Sequence, residues 1–447
     1  MARTLGRTAT GTVALITAGA LALAACSGTG SGNDPTGGNR DDSTQGSGET
    51  GEVTFAYLGD AANLDVWESL FAEFNKVHPD ITVKPQGIPA SNWAEFANAV
   101  AARLAGGEQI DIVQIATEGQ RLFASKGVLE PLQPYFDQDP DLVDDYFEDI
   151  NPRLRGFNDE FMADPDGNVV FVPGGFNTMV MYLNTDVFAA AGVPIPEDGN
   201  WTWEEFKQDA VKIKEKTGAY MAPFNQSYFG TVMPFVTTNG SSVFNEDWSE
   251  ATFDTPEVAE AAAYVRELIE LGVVPEPGGE IDVYSQFAQG NLAIVTGGRW
   301  PTINVRDIDM VDKTVIVNWP TNVANGTPVG WDAWNITKVS PNKDAAWTLI
   351  KFLMSKEAGE YFASIGGTIV PARESVANSA AFTDNAPEGS ERLSNAMSFA
   401  TPIPSPDKGA EVQQAIEDAW LTILTGNAQI EDVLASTQQE LQNLVDN

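Results

Sequence analysis

Along most of this chain, short apolar runs of period two alternate with stretches of period 3.6, a pattern that predicts strands and helices in turn. Val53-Thr-Phe-Ala-Tyr-Leu58 alternates as a strand, and Leu64, Trp67, Phe71 and Phe74 then recur at helical spacing. Ile81-Thr-Val-Lys84 reads as a strand, and Trp93, Phe96, Val100 and Leu104 mark one face of the next helix, which Gly106-Gly107 closes. Asp111-Ile-Val-Gln-Ile115 has the composition of a buried strand. This order at this spacing predicts a parallel sheet covered by helices.

The theme continues to the C-terminus. Val169–Val172, Met179–Leu183, Leu292–Val295 and Thr314–Val317 read as strands. Thr202-Trp-Glu-Glu205 has the form of a capping box, in which the hydroxyl serves one free N–H and the carboxylate another; Phe206, Ala210 and Ile213 carry that helix on. Thr255-Pro256 opens a helix with Val258, Val265 and Ile269 inward, proline being tolerated in the first turn. Ser340-Pro341 leads into a helix through Leu349 and Leu353, and Glu411 to Leu444 reads as two helices. No internal repeat of fixed period is visible, so the reading is α/β without a solenoid.

The N-terminus departs from this pattern. Arg3 and Arg7 precede an unbroken small and apolar run, Val13 to Ala25, shorter than the roughly 20 residues needed to cross a bilayer. It ends in Leu23-Ala24-Ala25-Cys26, which resembles the lipobox of bacterial lipoproteins, with residues 1–25 as the leader and Cys26 as the acylated residue. The other reading is an ordinary signal peptide with an incidental cysteine. Cys26 is the only cysteine, so no intrachain disulfide forms and the exported part relies on its own core. Residues 26–51 are dominated by Gly, Ser, Thr, Asn and Asp and predict a flexible tether.

The remainder, about 400 residues, is long for a single core and predicts two. With 63 acidic and 25 basic residues the net charge is −38, and no Lys/Arg cluster offsets it, which excludes nucleic-acid partners and disfavours adhesion to anionic lipid. The one histidine, His78, lies in a polar turn and reads as a surface residue. With one histidine and one cysteine, the usual zinc sites and Ser–His or Cys–His catalysis are ruled out. Glycine pairs such as Gly297-Gly298 lack a following Lys-Ser/Thr, so neither nucleotide nor any other cofactor is expected.

Several segments stand in a telling order. They are Gly59-Asp60 after the first strand, Leu104-Ala-Gly-Gly, Asp111-Ile-Val, Phe123-Ala-Ser-Lys-Gly-Val-Leu129, Met181-Tyr-Leu-Asn184, Trp201-Thr-Trp-Glu-Glu-Phe206, Phe287 to Ile294, Gly330-Trp-Asp-Ala-Trp334, and Ser340 to Ala358 leading to Val370-Pro-Ala-Arg373. Together they resemble the extracellular solute-binding proteins of ABC importers, the branch that includes maltose-binding protein. The resemblance implies a two-lobe periplasmic-binding-protein-like fold with a hinge and discontinuous lobes: 52–176 plus 326–368, and 177–325 plus 369–447. It also implies a carbohydrate ligand, probed in the cleft between lobes, and permease subunits as partners, with the protein a monomer on the outer face of the cytoplasmic membrane.

A sugar offers C–H faces that stack on aromatic rings and hydroxyls that need donors and acceptors at fixed angles. Eleven tryptophans make platforms plentiful, though core packing accounts for many. Trp300 follows a predicted strand and Gly297-Gly298-Arg299, at the place where the family carries a platform tryptophan. Trp331 and Asp332 are placed toward ligand, while Trp93 and Trp334 stay open between core and cleft. Glu118 lies past the C-terminal end of a strand, where open α/β sheets bind ligands; its other reading is a solvated acid at a helix start. Asp60 and Asn63 follow the first strand in the same way, although Asp60 reads equally as an N-cap. Asn177 in Gly174-Gly-Phe-Asn177 falls at the first crossover, and Gln226 and Tyr228 match a family segment that supplies one polar group and one ring. Gln226 stands where maltose-binding protein has a carboxylate and Ile115 where it has an aromatic, so the glycan is held differently here. Trp201 and Trp203 bracket the capping box and read as packing.

Two rival functions remain open at this point. A secreted glycan hydrolase needs two carboxyls at a fixed separation, and no Asp or Glu stands in a recognisable acid–base setting. A binding protein for a non-sugar solute, such as a polyamine or a peptide, would suit an acidic cleft.

Overall fold

The computed structural model describes residues 51–59, 61–279, 281–426 and 428–446. The leader, Cys26, nearly all of the tether and Asp60 lie outside the described residues. Gly51, expected as the last tether residue, already pairs with Ile81 in a sheet.

Strand β1 (Gly51–Leu58) leads into α1 (Ala61–Val77), β2 (Ile81–Ile88), α2 (Trp93–Ala105) and β3 (Ile112–Val113). β1 lies between β2 and β3 and is parallel to both, as the alternation of elements predicts. Phe55 of β1 packs on Trp67 and Phe71 of α1, with ring centroids at 4.8 and 5.1 Å, so the helical stripe covers the sheet. Asn92 caps α2 by accepting the Glu95 N–H at 2.8 Å.

Past this unit come β4 (Ile115–Ala116), α3 (Thr117–Ser125), α4 (Pro152–Phe161), β5 (Val172–Thr178), β6 (Val180–Asn184), α5 (Trp203–Thr217), α6 (Pro256–Glu270) and α7 (Val283–Ala288). They are followed by β7 (Ile294–Gly297), α8 (Trp300–Asp307), β8 (Thr314–Val317), β9 (Thr327–Trp334), α9 (Lys343–Met354), β10 (Val370–Pro371), β11 (Ala400–Pro402), α10 (Gly409–Leu424) and α11 (Ile430–Val445). The capping box at the start of α5 forms, with Thr202 Oγ1 accepting the Glu205 N–H and Glu205 accepting the Thr202 N–H. Trp201 and Trp203 are buried beside it, and Trp203 stacks on Tyr264 at 4.4 Å.

The expectation of parallel sheets holds for the first sheet alone. In the third, β6 lies between β7 and β8 and is antiparallel to both. The second runs β10-β5-β9-β11, with β4 also on β9, and draws strands from widely separated parts of the chain. Its centre is the antiparallel pair β5–β9, in which Phe176 faces Trp331 and Asn177 faces Gly330. The Val169–Val172 run enters a strand only at Val172, and the glycine pair after it continues that strand through a bulge at Pro173/Gly175. Glycine is required there: a Cβ on Gly175 would sit 2.6 Å from the Val370 carbonyl oxygen, and one on Gly174 2.8 Å from the Trp334 ring. This sheet carries the chain from the first unit to the third sheet and back, so residues at its ends meet from distant parts of the sequence.

Candidate functional site

β7 runs out at Gly297, and Trp300 begins α8 with Pro301 in its first turn. The Trp300 ring is half-buried and lies 6.5 Å from that of Phe229. Behind it, Asn304 Nδ2 donates to the Trp300 carbonyl at 3.1 Å, and Tyr284 hydrogen-bonds Asn304. Burial pushes the Tyr284 phenol up to about 12, so it stays neutral. Trp300 and Tyr284 line a cavity of about 280 Å³ together with Asn225, Thr231, Thr296 and Glu276. Aromatic and aliphatic side chains, Phe224, Ile281, Val283 and Val295 among them, make up much of the lining, and the four polar side chains add amide, hydroxyl and carboxylate groups.

Asn177 is tied to this place. Its Oδ1 accepts the Arg299 N–H at 2.8 Å, and its Nδ2 donates to the Thr368 carbonyl at 3.3 Å. Arg299 itself points into the core, where its guanidinium lies 4.2 Å over Phe382 and donates to that residue's carbonyl. Gln226 is half-buried between Asn225 and Ser227, both of which line the cavity.

Glu118 and Tyr228 form a second cluster. Glu118 is in the first turn of α3, and its Oε2 is shielded with no hydrogen-bond partner. Burial first, and then the charge of Glu417, raise its carboxyl to about 7. Tyr228 is buried, its hydroxyl donating to the Pro404 carbonyl and its backbone N–H to Glu417 Oε1, each at 3.0 Å. The ring that reaches toward Trp300 is that of the next residue, Phe229, which sequence reasoning passed over although it belongs to the same segment. Glu417, on α10, was also missed; nothing in its local sequence sets it apart from the other acids of that helix. Its carboxyl is raised as well, chiefly by burial.

Trp331 and Asp332 are not at an open surface. Trp331 is 1% exposed and stacks on Phe157 at 6.2 Å, while Thr117 and Gln120 side chains bond its main chain. Asp332 is 3% exposed, accepts from Gln114 Nε2, and is raised to about 7 by burial. Both alternate across β9 within the second sheet, so their tight packing follows from the sheet being covered on each face. Trp334 is buried against Gly174, and Trp93 is half-buried beside Phe96. Asn63 lies on α1. Among the described residues, no group of three or more His, Cys, Asp or Glu is placed to hold a metal ion.

The chain is similar to a binding protein of Brucella abortus, 24% identical over 332 residues that cover 70% of this chain and 74% of that one. It is 26% identical over 243 residues to the arabinooligosaccharide-binding protein of Halalkalibacterium halodurans, covering 53% of this chain and 52% of the other. Its fold matches that of an ABC substrate-binding protein from Listeria monocytogenes in complex with cycloalternan. The TM-score is 0.75 at 22% identity, over 89% of this chain and 99% of that structure. The architecture is therefore that of the two-lobe, periplasmic-binding-protein-like proteins. Residues 60–360 match the bacterial extracellular solute-binding protein family, and the chain belongs to it.

Proposed function

We propose that this protein is the lipid-anchored substrate-binding component of an ABC sugar importer, capturing an oligosaccharide in an inter-lobe cleft and delivering it to the membrane permease. The observation that carries the reading is a cavity of about 280 Å³ that Trp300 and Tyr284 line together with amide, hydroxyl and carboxylate side chains. Aromatic wall and hydroxyl-bonding side chains are the two chemistries a pyranose or furanose ring needs. The arabinooligosaccharide-binding relative and the cycloalternan-bound fold neighbour support a carbohydrate ligand.

In this reading the lobes are 52–176 plus 326–368 and 177–325 plus 369–447, joined through the second sheet. Trp300, Tyr284, Asn177 and Gln226 belong to the second lobe, and Asp60, Asn63 and Glu118 are the ligand-binding residues supplied by the first. Cys26 carries the acyl group that holds the protein, as a monomer, at the outer face of the membrane.

Calorimetric titration with mono- and oligosaccharides, alongside an assay for reducing-sugar release, tests the proposal. Saturable binding of an unaltered sugar is expected. Steady release at enzyme rates would replace the transport role with hydrolysis. One observation favours a second reading: the shielded oxygen of Glu118 with Glu417 beside it suits a cationic solute such as a polyamine. Heat from spermidine but from no sugar would select it.

A further inference from the structure

A second cavity, of about 270 Å³, adjoins the one at Trp300 and is lined by Tyr220, Asp282, Gln286, Asn291 and Leu292. The two share Pro275 and Ile281 as a common rim. Each is smaller than the roughly 300–1,000 Å³ of pockets that enclose a drug-sized ligand, so each has room for about one sugar ring.

Tyr220 and Ile281 are among the few large apolar side chains left open, at 39% and 38% exposed, and they meet at this cavity. The Tyr220 main chain is fixed, its N–H donating to the Asn291 carbonyl at 2.9 Å and its carbonyl accepting the Ala293 N–H at 2.8 Å. The point from which the ring projects is therefore set by the main chain. Lys214 Nζ lies 3.3 Å over one face, which leaves the opposite face for stacking. Asn291 Nδ2 donates to Gln286 Oε1 at 3.1 Å and to Gln289 Oε1 at 3.3 Å, which leaves the Gln286 N–H groups and the Asn291 side-chain oxygen to serve the hydroxyls of a ligand. Ring, amide pair and the Asp282 carboxylate repeat, on the far side of the rim, the chemistry found at Trp300.

We infer that the glycan held at Trp300 continues over Pro275 and Ile281 into a second carbohydrate subsite at Tyr220, so that the protein selects ligands by chain length as well as by sugar. This rests on the carbohydrate reading above. A single ring fills the Trp300 cavity alone. Two or more linked rings reach Tyr220 and gain its stacking area.

The test is calorimetry with two linear series, glucose to maltopentaose and arabinose to arabinopentaose, on the wild type and on Tyr220→Ala, Gln286→Ala and Trp300→Ala. For whichever series binds, affinity rises with length in the wild type. Tyr220→Ala removes about three- to tenfold of affinity from the longer members and leaves the monosaccharide unchanged. Gln286→Ala acts in the same direction, and Trp300→Ala weakens every length. Because the Tyr220 contacts to the sheet are made by its main chain, the alanine variant is expected to melt with the wild type. Equal affinity of Tyr220→Ala and wild type at every length would remove the subsite and leave the sugar reading standing. An equal loss at every length would move Tyr220 into the primary site and overturn the inference. Binding by no member of either series would remove the sugar reading, and the subsite with it.

Discussion

Asn177 and Arg299 are 122 residues apart in sequence, yet the Asn177 side-chain oxygen accepts the Arg299 backbone N–H at 2.8 Å. That bond fixes the turn between β7 and α8, the turn on which Trp300 stands. A side chain in the central sheet thereby sets where the aromatic wall of the cavity begins. Asn177→Ala leaves a buried N–H unpaired and should cost about 1–3 kcal/mol of stability. Denaturant unfolding measures it, and a loss below a few tenths would show that the turn holds without this bond.

Close approach at the same turn depends on Gly298. A Cβ there would lie 2.4 Å from Asn177 Oδ1 and 2.6 Å from its Cβ and Cγ, all far inside contact distance. Gly298→Ala should therefore destabilise by about 1–3 kcal/mol through overpacking. The double variant Gly298→Ala/Asn177→Ala removes most of the colliding atoms, so its cost should fall short of the sum of the two single costs. Additive costs in the cycle would place the two residues out of contact.

Trp300→Ala should weaken sugar binding by about 1–3 kcal/mol, through lost stacking and apolar area. The residue keeps part of its surface open, so the fold should lose less than for a fully buried tryptophan. Titration calorimetry and a melting curve on the same sample separate the two effects. Wild-type affinity in this variant would place the cleft elsewhere.

Local signals carried the elements well and the assembly poorly. The Thr202–Glu205 box, the helix opening at Thr255-Pro256 and the parallel first sheet were all legible, because each depends on residues close in sequence. The antiparallel third sheet was not, since the connections from β6 to β7 and β8 are too long for turn chemistry to reveal direction. That Gly174-Gly175 would lie within a strand was not legible, because the close packing that requires glycine there involves Trp334 and Val370, both far along the chain. Trp300 and Asn177 were singled out from their places after and within strands, and the structure brings them to one turn. Trp331 shares the residue type and a glycine neighbour, but a fully covered sheet buries it, and no local pattern separates the two cases. Tyr284 and Glu417 escaped notice because their importance lies in what packs beside them.

Glu118 gives the fold a pH dependence that can be isolated. Its folded value of about 7 lies above the ordinary 4.5, because burial and the neighbouring Glu417 oppose ionisation. Below 4.5 both folded and unfolded chains hold the proton, so this group adds no slope. Between there and about 7 the folded chain keeps a proton that the unfolded chain has released, so stability falls as pH rises, and levels off above. Asp332, raised to about 7 by burial, acts in the same direction over a similar window. Asp139, Asp149 and Asp164 act oppositely: their hydrogen bonds hold them below 3.8, so their contribution is lost only in acid. Glu118→Gln keeps the shape and removes the charge. Its stability relative to wild type should therefore improve from pH 5 to about pH 7 and then level off, by up to about 1.4 kcal/mol for each pH unit in which only the folded chain is protonated. Unfolding curves of both proteins at a series of pH values measure the difference. A difference that stays flat across that interval would mean that Glu118 ionises in the folded protein as it does in water, and that its carboxyl is open to solvent rather than enclosed beside Glu417.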